Sequence, residues 1–113
     1  MCSKEVLNKI TEKICIASKE VLGEKLEKVI LFGSYARGDY DEESDIDIMV
    51  LADIEREEAN AVRRKIRDQM GYLSLEYDVV VSLHMACSVI FHRFVGVMPY
   101  YKNVVKDGIE LYA

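Results

Sequence analysis

The chain is predicted to form an α/β (α+β) domain in which a small mixed β-sheet is flanked by helices. Two kinds of segment alternate along it: segments whose apolar residues recur every three or four positions, and short, mostly apolar runs. Their order is α-β-β-α-β-α-β, which a small sheet covered by helices accommodates. The length of 113 residues is enough for one compact domain, predicted over residues 1–113.

The helices are predicted from periodicity and from their ends. Residues 4–22 carry one apolar stripe, and Gly23 follows as a C-terminal cap. Residues 54–73 form a second amphipathic segment. Residues 88–97 are predicted helical up to the stop at Pro99, and residues 103–107 add one turn that ends at Gly108.

The strands are predicted from short apolar runs that are too brief for helices. The four predicted strands are Val29–Phe32, Ile46–Leu51, Tyr77–Leu83 and Ile109–Tyr112.

Composition excludes several classes of function. A net charge of −5 argues against sequence-independent nucleic-acid binding, which needs a basic surface. The cysteines Cys2, Cys15 and Cys87 are odd in number and widely spaced, as expected for reduced thiols. No basic region precedes an apolar core at the N-terminus, and no apolar run approaches the ~20 residues of a membrane span. We therefore expect a cytoplasmic protein.

The most informative pair of residues is Asp45 and Asp47. Alternate residues of a strand share a face, about 7 Å apart, so both carboxylates are predicted to point away from the core that Ile46 and Ile48 enter. Adjacent carboxylates repel each other unless a cation lies between them, and oxygen ligands favour Mg²⁺ or Mn²⁺ over zinc. The alternative is a strand with one solvated face, but aspartate is a poor strand former.

A Gly33-Ser34 turn ends the preceding strand, and Gly38 is predicted to close a helix of about one turn. Glycine permits close backbone approach to a ligand, and free N–H groups at such a turn attract anions. The spacing is not a Walker A loop, because Asp39-Tyr40 stands where Lys-Ser/Thr is required. The acidic segment from Asp39 also lacks the glycine and glutamate of a calcium loop.

A two-metal phosphoryl-transfer site needs a further carboxylate. Asp78, placed at the opening of the third predicted strand, is the best candidate, and the neighbouring Glu76 is its rival. For His84 and His92 a surface or packing role is favoured over a catalytic one, since neither has an obvious carboxylate partner in sequence.

Together these motifs resemble the signature of the DNA polymerase β-like nucleotidyltransferase superfamily: a Gly-Ser turn, ten intervening residues and an Asp-x-Asp pair. The likeness is to its minimal nucleotidyltransferase (MNT) branch and extends to the C-terminal pattern Pro99-x-Tyr101-x-Asn103 through Asp107-Gly108-Ile109. One departure is Tyr35, where many relatives carry a basic residue.

The resemblance implies that Asp45, Asp47 and Asp78 bind two Mg²⁺ ions, with Mn²⁺ as an alternative, and that Gly33 and Ser34 hold the triphosphate of ATP. Arg37 is expected near the phosphates. Such proteins commonly accompany a HEPN-domain toxin, act as its antitoxin, and can transfer AMP from ATP to a tyrosine of the toxin. One alternative is an antitoxin that masks its partner without catalysis. The other is transfer to a small molecule; enzymes of that kind usually enclose the acceptor with a second domain, and here a second copy of the chain in a homo-oligomer would have to take that place.

Overall fold

The computed structural model describes residues 3–112, apart from the side chain of Ser74, as a four-stranded sheet with helices on both faces. The strands are β1 (Leu26–Phe32), β2 (Ile46–Ala52), β3 (Val81–Cys87) and β4 (Ile109–Tyr112). Their order across the sheet is β3-β2-β1-β4. The β2–β3 pair is parallel, whereas β1 pairs antiparallel with both β2 and β4. The predicted small mixed sheet is therefore confirmed.

The helices follow the predicted order; the first has the predicted bounds, residues 4–22, and the longer helices after it begin or end at other residues than predicted. They are α1 (Lys4–Leu22), α2 (Ser34–Arg37), α3 (Ala59–Met70), α4 (Leu73–Glu76), α5 (Ser88–Phe94) and α6 (Pro99–Asp107). The predicted helix over 54–73 is broken at Gly71, whose φ of 64° leaves the helical region. Pro99 begins α6, because a proline at the first helical position loses no hydrogen bond.

The third strand begins later than predicted. Residues 77–80 form a turn and an extended approach, and pairing with β2 starts at Val81. The prediction that Asp78 opens this strand is wrong, since Asp78 lies in the turn with a φ of 52°. Aspartate tolerates this left-handed conformation better than a β-branched residue does. The strand instead runs through His84 to Cys87.

One face of the sheet, here named the closed face, is covered by α1 and α3, which also pack on each other. Its core is almost entirely aliphatic. The side chains of Ile10 and Ile14 from α1, Ile48 from β2 and Ile66 from α3 are fully buried there. The helical stripe predicted for residues 4–22 supplies the α1 side of this core.

The opposite face, here named the open face, is covered by α5 and α6. Its buried cluster is smaller and includes Phe32, Met49, Phe91 and Val104. Helix cover and apolar packing on this face leave the N-terminal end of β2 partly exposed, where Asp47 lies. A polar site is thus placed at the edge of the smaller core.

Two smaller expectations concern thiols and membranes. Cys15 and Cys87 are free thiols, as predicted, and Cys2 lies outside the described residues. In the part of the chain that the structure describes, no helix combines the length and the apolar character needed to cross a bilayer.

Candidate active site

Asp47 lies near the start of β2 and its carboxylate is on the open face. Its register neighbours are Phe32 on β1 and Ser82 on β3, so these three side chains form one row across the sheet. About 29% of the Asp47 side chain is exposed, and Asp45, which directly precedes the strand, is more exposed still. The strand therefore presents Asp47 to solvent while Ile46 and Ile48 fill the closed-face core.

Gly33 is required by the position of the Asp47 carboxylate. Its φ of 74° is a conformation that favours glycine. A Cβ atom at this position would also collide with Oδ2 of Asp47. The absence of a side chain is what allows the turn and the carboxylate to lie against each other.

The turn continues into the one-turn helix that the sequence predicted. Ser34 begins α2, and the backbone N–H of Gly38 donates to the carbonyl of Ser34 at 2.9 Å. Gly38 adopts a left-handed φ of 87° and ends the helix. Tyr35 is buried in the closed-face core and stacks on Tyr40 at 4.2 Å between ring centroids. The residue that departs from the family pattern thus packs in the interior.

Arg37, predicted near the phosphates, projects from α2 and is largely exposed. Its Nε donates to the Asp39 carboxylate at 3.1 Å, and its Nη1 lies 3.8 Å from Asp107. The hydrogen bond with Asp39 raises the pKa of the guanidinium, and the charges of Asp107 and Asp47 add to the effect. Arg37 is therefore on the Asp47 side of the molecule, with acidic neighbours as its present partners.

Sequence reasoning missed the residues beside Asp47 on β3. His84 Nε2 lies 3.5 Å from Asp47 Oδ1 and 3.1 Å from the hydroxyl oxygen of Ser82. His84 was expected to be a surface or packing residue, and it does pack edge-on against Phe32 at 5.1 Å. Its polar tip, however, faces the site. The parallel register of β2 and β3 brings it there, and only that register could have revealed it.

Tyr100 of α6 borders the same site. Its ring centroid is 6.0 Å from that of Phe32 and 6.1 Å from that of His84. Tyr100 is 40% exposed, and desolvation of its buried part raises its pKa to about 12, with the charges of Tyr101 and Asp47 contributing in the same direction. The phenol therefore stays neutral up to a higher pH than an ordinary tyrosine does.

Asp78 and Glu76 lie outside this group. Glu76 is the exposed last residue of α4, and Asp78 is exposed in the following turn. Across residues 3–112, with the side chain of Ser74 set aside, no three His, Cys, Asp or Glu side chains form a group that could hold a metal ion. The structure thus brings Asp47 to Gly33 and His84, and does not assemble the predicted triad; the role of Asp78 as a ligand stays a prediction.

A family model for the nucleotidyltransferase domain matches residues 13–111, nearly the whole chain. The chain belongs to the nucleotidyltransferase family. This confirms the resemblance drawn from the Gly-Ser turn and the Asp-x-Asp pair, and the enzyme class that it implied. In this nucleotidyltransferase, the Gly-Ser turn at Gly33 and the Asp-x-Asp residue Asp47 are motif residues that the fold brings into direct contact.

Similar proteins extend this assignment. A Methanocaldococcus jannaschii protein named as a proposed protein adenylyltransferase is 36% identical over 88 residues, which are 78% of this nucleotidyltransferase and 80% of that protein. A second protein of that organism with the same name is 47% identical over 62 residues, or 55% of this chain and 61% of that protein.

Solved structures share the architecture. A crystal structure of a toxin–antitoxin with AMP-PNP is 27% identical with a TM-score of 0.56, covering 91% of this chain and 73% of that one. A mutant of the toxin–antitoxin MntA-HpeT is 25% identical with a TM-score of 0.53, covering 94% and 72%. A proposed minimal nucleotidyltransferase, 22% identical over 95% and 94%, has the same fold with a TM-score of 0.62.

The nucleotidyltransferase site fits a divalent cation in part. Mg²⁺ is usually held by one or two carboxylates together with substrate phosphates, and Asp45 and Asp47 are carboxylates at the exposed end of one strand. A Cβ at Gly33 would collide with the Asp47 carboxylate, so glycine is what lets the backbone of the turn lie against this carboxylate. The donor set therefore suits a cation shared between the protein and a nucleotide.

Proposed function

We propose that this nucleotidyltransferase is an Mg²⁺-dependent adenylyltransferase that transfers AMP from ATP to a tyrosine hydroxyl of a partner HEPN toxin, and so acts as an antitoxin. The observation that carries the proposal is the packing of the Asp47 carboxylate against the Gly33 turn, at the exposed end of the sheet. A metal-binding carboxylate and a phosphate-binding turn must be adjacent for a nucleotide to bridge them.

The chemistry follows from what these residues can bind. Asp45 and Asp47 would hold Mg²⁺, with Asp78 as the candidate third carboxylate, and the Gly33-Ser34 turn would hold the triphosphate. Bound Mg²⁺ neutralises charge on the phosphates and makes the acceptor hydroxyl more acidic. The acceptor oxygen forms a bond to the α-phosphorus while the bond to the departing pyrophosphate breaks, and the hydroxyl proton goes to a carboxylate oxygen of the site. The protein mainly positions the reactants.

ATP as the donor is supported by the relatives. The similar toxin–antitoxin structure contains AMP-PNP, an ATP analogue. The two M. jannaschii relatives carry names that specify adenylyl transfer to protein. In the mutant MntA-HpeT structure, the substitutions are at two aspartates two residues apart, the spacing of Asp45 and Asp47 here.

A protein acceptor is supported by the surface beside the site. Several large apolar side chains of the α5–α6 segment are exposed: Val89, Phe94, Val97, Met98, Tyr100 and Val105. Tyr100 connects this surface to the site through its contacts with His84 and Phe32. An exposed apolar surface indicates an interaction with another protein, and a partner that contacts Tyr100 would reach the part of the sheet where His84 and Asp47 lie. A second copy of the chain is the alternative occupant, which measuring the mass in solution would identify.

The test is labelling of a co-purified HEPN partner with ATP labelled at the α-phosphate. Asp45→Asn and Asp47→Asn are expected to abolish Mg²⁺-dependent transfer to the partner. Asp53→Asn is the matched control, because Asp53 is an exposed aspartate just beyond the opposite end of β2. Wild-type labelling by both site variants would refute the catalytic assignment.

Masking without catalysis is the second candidate function. It is favoured by one observation: among the described residues, no three acidic, histidine or cysteine side chains form a group that could hold a metal ion. If Asp45→Asn and Asp47→Asn lose transfer but still neutralise the toxin, masking through the α5–α6 surface is sufficient. If these variants lose both transfer and neutralisation of the toxin, the enzymatic antitoxin is favoured. Transfer to a small molecule would instead appear as labelling without any protein acceptor.

A further inference from the structure

We propose that His84 Nε2 is a protein ligand of the divalent cation held by Asp47, in the place where a third carboxylate was predicted, and that this makes the site prefer Mn²⁺ to Mg²⁺. The inference rests on the proposed function for the role of Asp47. It adds a ligand of different chemistry and a different metal preference.

The first argument is the distance between the two ligand atoms. His84 Nε2 and Asp47 Oδ1 are 3.5 Å apart, longer than a well-formed hydrogen bond. Two atoms that each lie about 2.0–2.2 Å from one metal ion are about 3.0–3.5 Å apart at tetrahedral or octahedral angles. The separation suits two ligands of a shared cation better than it suits a direct pair.

The second histidine of the chain makes the contrast clear. His92 Nε2 lies 2.6 Å from the Glu27 carboxylate, a closed contact on the α5 surface. His84 is also next to a carboxylate and keeps a gap. His92 is therefore a matched control, because it is a histidine of the same chain that also contacts an acid. It is remote from Asp47: its partner Glu27 is at the start of β1, whereas Asp47 lies opposite Phe32 at the end of β1.

The third argument is that His84 is held in place. Its ring packs edge-on against Phe32 and lies beside Tyr100. The hydroxyl oxygen of Ser82 lies 3.1 Å from Nε2, so a cation bound at Nε2 would have this oxygen close by. Ser82 is the direct register partner of Asp47. One nitrogen and two oxygens, from His84, Asp47 and Ser82, thus converge with aromatic rings behind them. Fixed ligands of this kind lose little freedom when they bind a cation.

Asp78 does not have this placement. It precedes β3 by three residues and is exposed in a turn, whereas Ser82 and His84 occupy the β3 positions on the face of Asp47. The consequence is a change of metal preference. Mg²⁺ strongly prefers oxygen ligands, and an imidazole ligand favours transition-metal ions. We therefore expect tighter binding of Mn²⁺ than of Mg²⁺.

The direct test uses Mn²⁺ alone with the wild-type protein, without nucleotide or partner. Electron spin-echo envelope modulation detects nitrogen bound to Mn²⁺. We expect ¹⁴N modulation in the wild type and in His92→Gln, and none in His84→Gln. Absence of the nitrogen signal in the wild type, or its persistence in His84→Gln, would overturn the proposal, and so would a failure of Mn²⁺ to bind. The wild-type measurement does not depend on the folding of any variant.

Affinity provides the second measurement. Titration of Mn²⁺ followed by its free-ion signal is expected to show weaker binding by about tenfold or more in His84→Gln, with His92→Gln within twofold of the wild type. Weakening by Asp78→Asn but not by His84→Gln would restore the predicted carboxylate. These binding data contain no transfer step. Intact nitrogen ligation with no adenylyl transfer would thus count against the proposed function and leave this inference standing.

Discussion

The two faces of the sheet differ in what covers them and in what they leave exposed. On the closed face, α1 and α3 bury an aliphatic core that continues along the whole of β2 through Ile46, Ile48 and Val50. On the open face, α5 and α6 bury a smaller cluster, and the row that contains Asp47 borders solvent. Strand β2 therefore supplies buried core residues to the closed face and the candidate active-site residue Asp47 to the open face.

This division has a physical cause. A carboxylate is costly to bury without a partner, so a reactive aspartate needs a face where the cover is incomplete. The stability lost there must come from elsewhere, and the closed face supplies it through fully buried aliphatic side chains. We expect substitutions on the two faces of β2 to separate stability from activity.

Substitutions at neighbouring residues of β2 test this difference between the two faces most directly. Ile48→Ala, on the closed face, is expected to lower the free energy of unfolding by about 2–5 kcal/mol, because it leaves a cavity in a fully buried site. Asp47→Asn, one residue away on the open face, is expected to change it by about 1 kcal/mol or less, since its contact with His84 is loose and partly exposed. Urea denaturation measures both values.

The activities of the same two variants should show the reverse order. Ile48→Ala is expected to keep adenylyl transfer in proportion to its folded fraction, and Asp47→Asn to lose it. If Asp47→Asn unfolds as readily as Ile48→Ala, the open face is part of the stabilising core and the division fails.

Glycine substitutions separate the effect of backbone strain from the effect of the contact between the turn and Asp47. Gly33 and Gly71 have similar positive φ values, 74° and 64°, but a Cβ at Gly33 would collide with Asp47 whereas one at Gly71 meets nothing within 4 Å. Alanine at either position is expected to cost about 1–3 kcal/mol of stability through backbone strain. Gly33→Ala should in addition displace the carboxylate and weaken Mn²⁺ binding, whereas Gly71→Ala should bind Mn²⁺ as the wild type does.

Denaturation and Mn²⁺ titration on the two glycine variants distinguish these effects. Equal metal binding by Gly33→Ala and the wild type would mean that the close approach of the turn to Asp47 does not determine the site.

Local patterns were sufficient for the parts of the fold that are periodic. The stripe of α1 was predicted because one face of that helix enters the closed-face core. The apolar runs of β1 and β2 were predicted because both faces of these strands are buried. The one-turn helix between Gly33 and Gly38 was predicted because glycine conformations at both of its ends are local properties. Asp47 was found in the same way, from a charged residue between two isoleucines.

The third strand could not be located by such patterns. It was predicted over 77–83 and lies at 81–87, a shift of four residues. An even shift leaves the alternation of side chains unchanged, so Val81 and Leu83, which belong to both ranges, are expected on the same face of the sheet in either case. The position is determined by the parallel pairing with β2, a long-range property. The same pairing places Ser82 and His84 beside Asp47. The sequence does not show this pairing, and it suggested Asp78 because that acid precedes the run Val79-Val80-Val81.

The smallest predicted effect tests whether Tyr100 belongs to the open-face site. Its pKa is raised from 10 to about 12, mainly by burial, with the charges of Tyr101 and Asp47 adding to the shift. The unfolded chain releases this proton near pH 10 and the folded chain retains it, so the contribution to stability is complete below pH 10 and is lost as the pH rises to about 12. Tyr100→Phe should therefore lose less stability than the wild type between pH 9 and pH 11 in urea denaturation. Tyr72→Phe, at an exposed tyrosine between α3 and α4, is the control and should follow the wild-type slope. If the dependence of stability on pH is the same in Tyr100→Phe and the wild type, the hydroxyl of Tyr100 is well solvated in the folded protein. Phe32, and not Tyr100, would then be the last aromatic side chain that shields Asp47 from solvent.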